Sequence, residues 1–479
     1  MRLSDMRSCT GCMACLNSCN YNAIEMVQDV GGFYKPHINE AVCVVCNSCQ
    51  NTCPVLNKNV MYSVKNCFLA YGIDDELRKK SSSGGIISII SRAVIRKGGV
   101  VCGAEWAEGF SKVRHVIADD EEKVDAFCQS KYVQSDLGYS YKKVKEYLEK
   151  GIRVLFTGLS CQIAGLNNYL VKMYDNLYTI DMICRGNSSV KVWNKYIEWQ
   201  KKEDGGDKIS VVEQRSKRKY FVRPTLYIEY DNGKSNYMWE YENAYFNAFS
   251  RNYSINTACF NCQYKGNNRV ADITVGDAQG AEFLYPHIYG RRAMSHVMVN
   301  TDRGQELFDY IADEVYRERI PLKNISFVDK KMNESVTPPE NIDEFWKDFE
   351  TESFGIIAEK YLRGSQRNYV DIDDDFSYRK EFEAKAGYKC AYGVGNTFKC
   401  LVEGGHLQFD YCTDGNAELT GERICGVKYI PLQKMLNRDD IFVIITVFDY
   451  MSVKEIHDLL VNNDIPHKLF MDGEEYGKI

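Results

Sequence analysis

The chain has 479 residues, of which 44% are hydrophobic and 26% charged, with a net charge of -6 at pH 7. A chain of this length is too long to fold around a single hydrophobic core, and roughly three or four domains are expected. The acidic balance disfavours nucleic acid as a partner, and we interpret the short basic run at 215–220 as a solvated face. No apolar stretch is long enough to span a membrane, and the N-terminus has no signal-peptide core. We therefore expect a cytoplasmic protein whose 19 cysteines are cluster ligands or buried thiols.

Eight of these cysteines form two copies of the pattern C-x2-C-x2-C-x3-C within the first 53 residues. In this pattern three cysteines bind one iron-sulfur cube and the fourth completes the other cube. We predict one 4Fe-4S cluster on Cys9, Cys12, Cys15 and Cys53, and another on Cys43, Cys46, Cys49 and Cys19. Zinc is the main alternative, but structural zinc sites usually present pairs of C-x2-C.

The segment between the two motifs, residues 23–39, reads as two short strands around the turn Gly31-Gly32. Residues 1–57 thus resemble a bacterial two-cluster ferredoxin. Asn20 stands where that family has proline after the first motif, which affects the rigidity of the loop rather than ligation.

From about residue 67 the pattern changes to alternating strands and helices, which predicts an α/β sheet. The expected strands are 68–73, 100–106, 153–158 and 178–184, and the expected helices are 86–98 and 139–151. A Ser/Gly turn, SSSGG at 81–85, precedes the first helix. Such a turn can bind a phosphate through free backbone N–H groups, or it can be a plain helix cap.

Five ordered motifs carry a wider resemblance: SSSGG (81–85), SKYVQSDLG (130–138), GLSCQIAGL (158–166), DMICRG (181–186) and CFNCQYKGNNRVADITVGDAQG (259–280). Together they resemble the beta-subunit family of coenzyme F-420 hydrogenases and dehydrogenases, over roughly residues 62–350. The resemblance implies a flavin, usually FAD, and a further 4Fe-4S cluster. It also implies electron transfer between iron-sulfur carriers and a hydride donor or acceptor.

The resemblance places the third cluster on Cys161, Cys184, Cys259 and Cys262. Leu159-Ser160 replaces the family's Thr-Pro, and Arg185 replaces the histidine after the second of these cysteines. A fixed cation at Arg185 is expected to raise the potential of the cluster. The remaining cysteines match no ligand pattern and are expected to be core thiols: Cys67, Cys102, Cys128, Cys390, Cys400, Cys412 and Cys425.

The flavin is expected at the Ser/Gly turn and at the loop that follows residue 130. The predicted pyrophosphate cradle is Ser82, Ser83, Gly84 and Gly85, and the predicted lining is Lys131, Tyr132, Gln134 and Ser135. Asp272 and Asp277 are either site acids or turn caps, and we interpret His296 as a sheet residue. We assign no catalytic acid.

Beyond residue 350 the acidic stretch 370–387 reads as a connector helix, and four strands alternating with helices then predict a small Rossmann-like unit. Its Gly393-x-Gly395 lacks a third glycine because Phe398 stands there, and Asp410 lies near the expected ribose-binding position. Such domains resemble sugar-nucleotide modules of cell-surface glycan assembly. A degenerate docking domain is the alternative.

The predicted fold class is an α/β multidomain protein with a ferredoxin-like α+β module at its N-terminus. The predicted domains are 1–57 (ferredoxin), 62–200 and 201–350 (flavin and iron-sulfur halves), 351–387 (connector) and 388–479 (Rossmann-like). The first functional hypothesis is an oxidoreductase that passes electrons from ferredoxin or a similar carrier through the clusters and FAD to a small molecule. That substrate is a candidate nucleotide-sugar or glycan precursor, and a homo-oligomer is compatible with this function. The alternative is an electron-transfer subunit that oxidises reduced deazaflavin coenzyme and feeds a separate enzyme.

Overall fold

The computed structural model describes residues 7–218, 225–239, 243–279, 281, 285, 293–363, 386–395, 398–399, 402, 407–415, 423–447 and 450–469. The chain divides into two compact units. The first comprises Met1–Ala278 and Arg292–Gly364, and the second comprises Gln279–Arg291 and Ser365–Ile479.

The N-terminal cysteine motifs surround a small antiparallel hairpin. Its strands, Ile24–Gln28 and Tyr34–Ile38, pair along their full length, as the sequence predicted. Each motif also forms one short helix, Ala14–Ser18 in the first and Ser48–Thr52 in the second. The two halves of this region are therefore built in the same way.

One mixed nine-stranded sheet forms the centre of the first unit. Four neighbouring strands in its middle are parallel, and antiparallel strands follow on both sides. In spatial order the strands are Val315–Arg319, Asn66–Gly72, Ser295–Val299, Ile273–Asp277, Leu177–Met182, Val154–Gly158, Val100–Trp106, Val113–Ala118 and Ser135–Asp136. The four strands predicted before residue 185 are thus confirmed. Six strands come from residues before 200 and three from residues after it, so both segments build one sheet.

Smaller sheets and the helices complete the first unit. A three-stranded antiparallel sheet consists of Ile209–Ser216, Thr225–Tyr230 and Ser235–Trp239. A two-stranded pair joins Tyr62–Ser63 to Asn268–Arg269. The helices beyond the cysteine motifs are Asp75–Lys80, Ile86–Arg96, Glu121–Val124, Ser140–Glu149, Ser160–Leu170, Val190–Asp204, Ala244–Ser250, Asp302–Asp309, Leu322–Val328, Lys330–Asn333, Ile342–Thr351 and Phe354–Tyr361.

The N-terminal cysteine region packs into the core of the first unit. Met13 and Leu16 belong to the same buried cluster as Tyr141 and Leu166 of the α/β body. Gln134, which is 1% exposed, accepts a hydrogen bond from the Tyr34 amide at 2.8 Å and donates one to the Thr10 carbonyl at 3.2 Å. The ferredoxin-like region is therefore held by apolar packing and by a buried side chain that satisfies its backbone.

The second unit contains a six-stranded sheet whose parallel strands follow the order 3-2-1-4-5 along the chain, with one antiparallel edge strand. This is the order of doubly wound nucleotide-binding sheets. The strands are Tyr388–Tyr392, Tyr411–Thr413, Arg423–Ile424, Val427–Tyr429, Ile441–Ile445 and His467–Leu469, and the described helices include Leu432–Leu436 and Tyr450–Asn462.

The expected ribose-binding role of Asp410 does not agree with its position. Asp410 precedes its strand, and its carboxylate accepts a hydrogen bond from the Lys389 amide at 2.8 Å. Ligands of such sheets bind at the carboxyl ends of the strands, and Asp410 lies at the amino end of this one. Asp414, which follows the same strand and accepts from the Val394 amide at 2.9 Å, occupies the carboxyl end instead. Of the predicted connector helix, 370–385 lies outside the described residues.

Candidate redox sites

The first predicted cysteine set surrounds a cavity. The cavity is lined by all four predicted thiols, and its other walls are mostly apolar. The lining residues include Cys9, Cys12, Cys15 and Cys53, together with Met26, Pro36 and Val55. Burial raises the pKa of Cys12 to about 12, so a thiolate here needs the positive charge of bound iron. The arrangement fits a 4Fe-4S cluster that takes three ligands from the first motif and the fourth ligand from the second motif.

The second predicted set lies nearer the surface. Burial raises the pKa of Cys49, and the nearby thiols of Cys19 and Cys43 raise it further. Cys46 is exposed, and so are Val44 and Val45 beside it. This cysteine set is thus the more accessible of the two N-terminal sets, while Cys12 and Cys15 are buried.

The four cysteines implied by the family resemblance come together from three separate segments. Burial raises the pKa of Cys161, and the neighbouring thiols of Cys184, Cys262 and Cys259 raise it further. The Asn187 amide also donates to the Cys259 sulfur at 3.3 Å. Four thiols in mutual electrostatic contact fit the ligand set of a cubane cluster.

A buried ion pair fixes the three segments that carry these thiols. Asp181 and Arg269 are 0% and 3% exposed, and their charged groups lie 2.9 Å apart. Ser160, immediately before Cys161, donates to the same carboxylate at 2.5 Å. The sequence pattern did not indicate this pair, because nothing local relates residues 88 positions apart.

Lys265 is a second cation beside the third cysteine set, in addition to Arg185. The Arg185 guanidinium donates to the Asn252 side chain and to the Ser250 carbonyl, which hold it on a neighbouring loop. Lys265 Nζ donates to the Cys184 carbonyl at 2.6 Å. Burial raises the pKa of Cys184 to about 11, and Lys265 is the strongest influence that opposes this rise. The expectation for Arg185 stays a prediction, and because its guanidinium is engaged by Asn252 and Ser250 we expect Lys265 to have the larger influence on the cluster.

The first and third cysteine sets adjoin each other. Helix Ser160–Leu170 begins beside Cys161, and one turn later Gly165 contacts the N-terminal region, where an added Cβ would come within 3.0 Å of the Cys12 sulfur. Tyr264, two residues after Cys262, is 7% exposed, and its hydroxyl lies 3.4 Å from the carbonyl of Pro54. Its pKa is raised by burial first and then by thiols of both sets. Short separations of this kind suit electron transfer.

The predicted Ser/Gly cradle is a structured turn before helix Ile86–Arg96. Ser82 Oγ accepts a hydrogen bond from the Ser130 hydroxyl at 2.9 Å, and Ser83 Oγ donates to the Met294 carbonyl at 2.5 Å. Gly84 lies so close to the sheet that a Cβ would meet the Ala70 carbonyl at 2.6 Å. The glycine therefore serves close packing here, in addition to any role toward a ligand.

Two basic residues that the sequence placed on a solvated face are buried at this turn. Arg215 donates to the Ser82 carbonyl at 3.4 Å, and Lys217 donates to the Ser83 carbonyl at 2.6 Å. The Arg215 side chain is 11% exposed and Lys217 is 8% exposed, whereas the Arg218 side chain is 48% exposed. Burial lowers the pKa of Lys217 to about 6, with Arg215 adding to the effect. Strand periodicity would not have separated these residues from exposed ones, because Ser216 between them is also buried and the strand ends there.

Asp277 pairs with Arg215 of this basic group and lies at the same end of the sheet as Cys184. Its carboxylate lies 2.7 Å from Arg215 Nη1, and the attraction outweighs burial, so the pKa of Asp277 is lowered. Its strand runs parallel to Leu177–Met182, with Val275 opposite Met182. Cys184 follows that neighbouring strand, so Cys184 and Asp277 both lie at the carboxyl ends of the parallel strands.

Of the four residues predicted to line the flavin, two are at this turn and two are elsewhere. Tyr132 accepts a hydrogen bond from Arg215 at 3.0 Å, and Lys131 lies on the same loop, where its ammonium donates to the Cys128 carbonyl. Gln134 instead contacts the ferredoxin-like region, and Ser135 accepts from Gln162 at 2.9 Å. We therefore omit Gln134 and Ser135 from the proposed flavin site, because their polar groups are used inside the core.

Two buried polar atoms near the site fit a bound polar group. Gln214 Nε2 and His296 Nδ1 have no hydrogen-bond partner among the described residues. His296 is 1% exposed on strand Ser295–Val299, which agrees with its interpretation as a sheet residue. Asp272 has a structural role, since its carboxylate accepts from the Thr179 amide and hydroxyl at 2.9 and 2.8 Å.

The remaining cysteines follow the expectation for core thiols in part. Cys67, Cys102, Cys390 and Cys412 are buried, Cys128 and Cys425 are partly buried, and Cys400 lies outside the described residues. Within the described ranges, no three His, Cys, Asp or Glu side chains converge closely enough to hold a single metal ion. Among the same residues, no helix has the length and apolarity to cross a membrane.

Comparison with known proteins defines the class of the chain. Residues 8–57 match the 4Fe-4S dicluster domain. Residues 151–324 match the family described as the C terminus of the beta subunit of coenzyme F420 hydrogenase/dehydrogenase. The chain is thus an iron-sulfur electron-transfer protein in which residues 151–324 are similar to this beta-subunit family.

The protein is similar to a chain in a solved structure of the F420-reducing NiFe hydrogenase complex of Methanosarcina barkeri, determined as a xenon derivative. The aligned region covers 63% of this protein and 93% of the hydrogenase chain. The sequence identity is 16% and the TM-score is 0.39. A search of the curated proteins finds no match.

Proposed function

We propose that this protein is an iron-sulfur flavoprotein oxidoreductase that conducts electrons from a low-potential carrier through three 4Fe-4S clusters to FAD. The observation that carries the proposal is that two neighbouring parallel strands end beside each other, one leading to Cys184 of the third cysteine set and the other to Asp277, which pairs with Arg215 of the basic group. One-electron and two-electron chemistry would then be adjacent.

The order of the clusters follows from exposure and contact. Cys46 of the second cysteine set is exposed, which suits reception of electrons from a ferredoxin-like carrier. The buried set around Cys12 adjoins the helix that begins beside Cys161. The proposed route therefore runs from the exposed set, through the buried set, to the third set.

The residues at the Ser/Gly turn would hold the flavin by its charge. Arg215 and Lys217 would face the diphosphate, which is the group that buried cations at a helix N-terminus favour. Asp277 would hold Arg215 in place through their 2.7 Å contact. A bound flavin would exchange single electrons with a cluster and pairs of electrons, with a proton, with an organic acceptor.

Iron content and matched cysteine variants test the cluster assignment. Anaerobically prepared protein is expected to carry about twelve irons and one FAD. Cys161→Ser should lose about four irons and the spectrum of one cluster, whereas Cys128→Ser, which removes a thiol outside every ligand set, should lose none. About eight irons in the unaltered protein would contradict the third cluster and leave the two N-terminal clusters in place.

Two classes of small-molecule redox partner fit the proposal, an acceptor and a donor. A small-molecule substrate, such as a nucleotide-sugar or glycan precursor, is favoured by the 3-2-1-4-5 sheet of the second unit, an order that often binds nucleotides. An electron-transfer subunit that oxidises reduced deazaflavin is favoured by the family match of residues 151–324. Two measurements discriminate between them: whether a sugar nucleotide reoxidises the flavin of the reduced protein, and whether reduced deazaflavin reduces the flavin of the oxidised protein.

A further inference from the structure

We propose that Lys265 sets the reduction potential of the third cluster and thereby makes electron transfer from the N-terminal clusters favourable. The inference rests on the proposed function, because it requires a cluster on the third cysteine set. It assigns to one side chain a role that neither a ligand pattern nor a cysteine spacing reveals.

The position of the Lys265 ammonium is fixed by the fold. Its Nζ donates to two backbone carbonyls, those of Cys184 and Lys331, each at 2.6 Å. These two acceptors belong to separate segments, so the charge is held between the thiol group and the loop at 329–331. A side chain fixed at both sides keeps its charge at a constant distance from the thiols.

Lys265 lies close to two of the segments that carry the thiols. Its ammonium donates to the Cys184 carbonyl at 2.6 Å, and Lys265 itself stands three residues after Cys262. A charge that stabilises negative sulfur also stabilises a negatively charged cluster.

Reduction of the cluster transfers one electron, with no bond made or broken, and adds one negative charge to the irons and their thiolates. A fixed cation nearby lowers the free energy of the reduced form more than that of the oxidised form, and the potential rises. Lys265 would act on the third cluster and not on the N-terminal ones, since its contacts are with the Cys184 segment. Electrons would then move inward and remain available to the flavin.

A pair of charge-removing variants tests the role of Lys265. Lys265→Gln keeps a hydrogen-bond donor and removes the charge. Arg185→Gln is the matched control: it removes the charge of the residue next to Cys184, a guanidinium that donates to Asn252. The readout is an anaerobic redox titration followed by electron paramagnetic resonance, which reports each cluster separately. We expect a more negative potential for the third cluster in Lys265→Gln, unchanged potentials for the N-terminal clusters, and little change in Arg185→Gln.

Three results would overturn the proposal: an unchanged third-cluster potential in Lys265→Gln, an equal shift in both variants, or loss of the cluster from Lys265→Gln, which would make the lysine structural. The proposed function fails differently. In that case the unaltered protein itself would lack the iron and the signal of a third cluster.

Discussion

Asp181 and Arg269 form a buried ion pair at 2.9 Å between the segments that carry the third set of thiols. Arg269 also donates to Ser160 Oγ at 3.0 Å and to the Tyr264 carbonyl at 3.1 Å. A single guanidinium therefore joins the beginning of the Cys161 helix to the loop that follows Cys262.

Arg269→Leu should destabilise the first unit and the third cluster together. Removing one partner of a buried pair leaves an uncompensated charge, at a cost of about 3–5 kcal/mol. We expect a lower free energy of unfolding and loss of about four irons, measured by denaturant titration and iron analysis. Arg317→Leu, which breaks a more exposed pair with Asp309, is the control and should retain its iron. Full iron content in Arg269→Leu would contradict the role of the pair.

Substitutions in the basic run should separate flavin binding from general charge. Arg215→Leu removes a buried cation, and Lys217→Leu removes a buried amine whose pKa of about 6 a bound diphosphate would raise. Hydrogen bonds to charged groups contribute about 1.5–3 kcal/mol. We expect FAD affinity to fall about tenfold or more, measured by flavin fluorescence on titration of the apoprotein. Arg218→Leu, on the exposed side of the same run, should bind FAD as tightly as the unaltered protein. Equal losses in all three variants would indicate a nonspecific effect.

Gln134 should matter for the seating of the ferredoxin-like region. Gln134→Leu leaves the Tyr34 amide without its partner and removes the shorter of two hydrogen bonds to the Thr10 carbonyl, and a buried unsatisfied group costs about 1–3 kcal/mol. We expect a lower melting temperature and faster proteolysis of the N-terminal region. Asn57→Ala removes an exposed side chain that also bonds backbone carbonyls, and it should change neither measurement. Flavin affinity should be retained in both variants.

His115 should make stability fall in mild acid. Burial lowers its pKa to about 4, and its Nε2 lies 3.2 Å from the Thr157 carbonyl. Between the ordinary pKa of about 6.5 and this value, the unfolded chain binds a proton that the native chain does not, so stability decreases as pH falls.

The loss attributable to His115 should reach about 3 kcal/mol near pH 4. Anaerobic urea unfolding at about pH 7 and about pH 5.5 measures the slope. His115→Phe should show a shallower pH dependence, whereas replacement of the exposed His37 should leave the slope unchanged. An equal slope in His115→Phe would assign the pH dependence to other groups.

Much of the fold could be predicted where a local pattern carries the information. The hairpin at 23–39, four of the six central-sheet strands before residue 185 and the alternation of strands and helices after 388 follow from periodicity and turn residues, whereas Val113–Ala118 and Ser135–Asp136 were not predicted. The basic run was misread because composition suggested a solvated face, while burial of Arg215 and Lys217 depends on the turn at 81–85, far away in the chain. Asp410 was misplaced for a related reason, since the strand Tyr411–Thr413 is so short that Asp410 and Asp414 lie at opposite ends of it.

The spacing of cluster ligands is a local property, because consecutive residues form the loop that surrounds an iron-sulfur cluster. The eight N-terminal cysteines could therefore be assigned as ligands from the sequence alone. Electron transfer depends on distances between sites, and those arise from packing. The contact of Gly165 with Cys12, the placing of Lys265 beside Cys184 and the approach of Asp277 to the same sheet edge join segments far apart in the chain. The amino-acid order thus names the redox groups, and the tertiary fold decides which of them are neighbours.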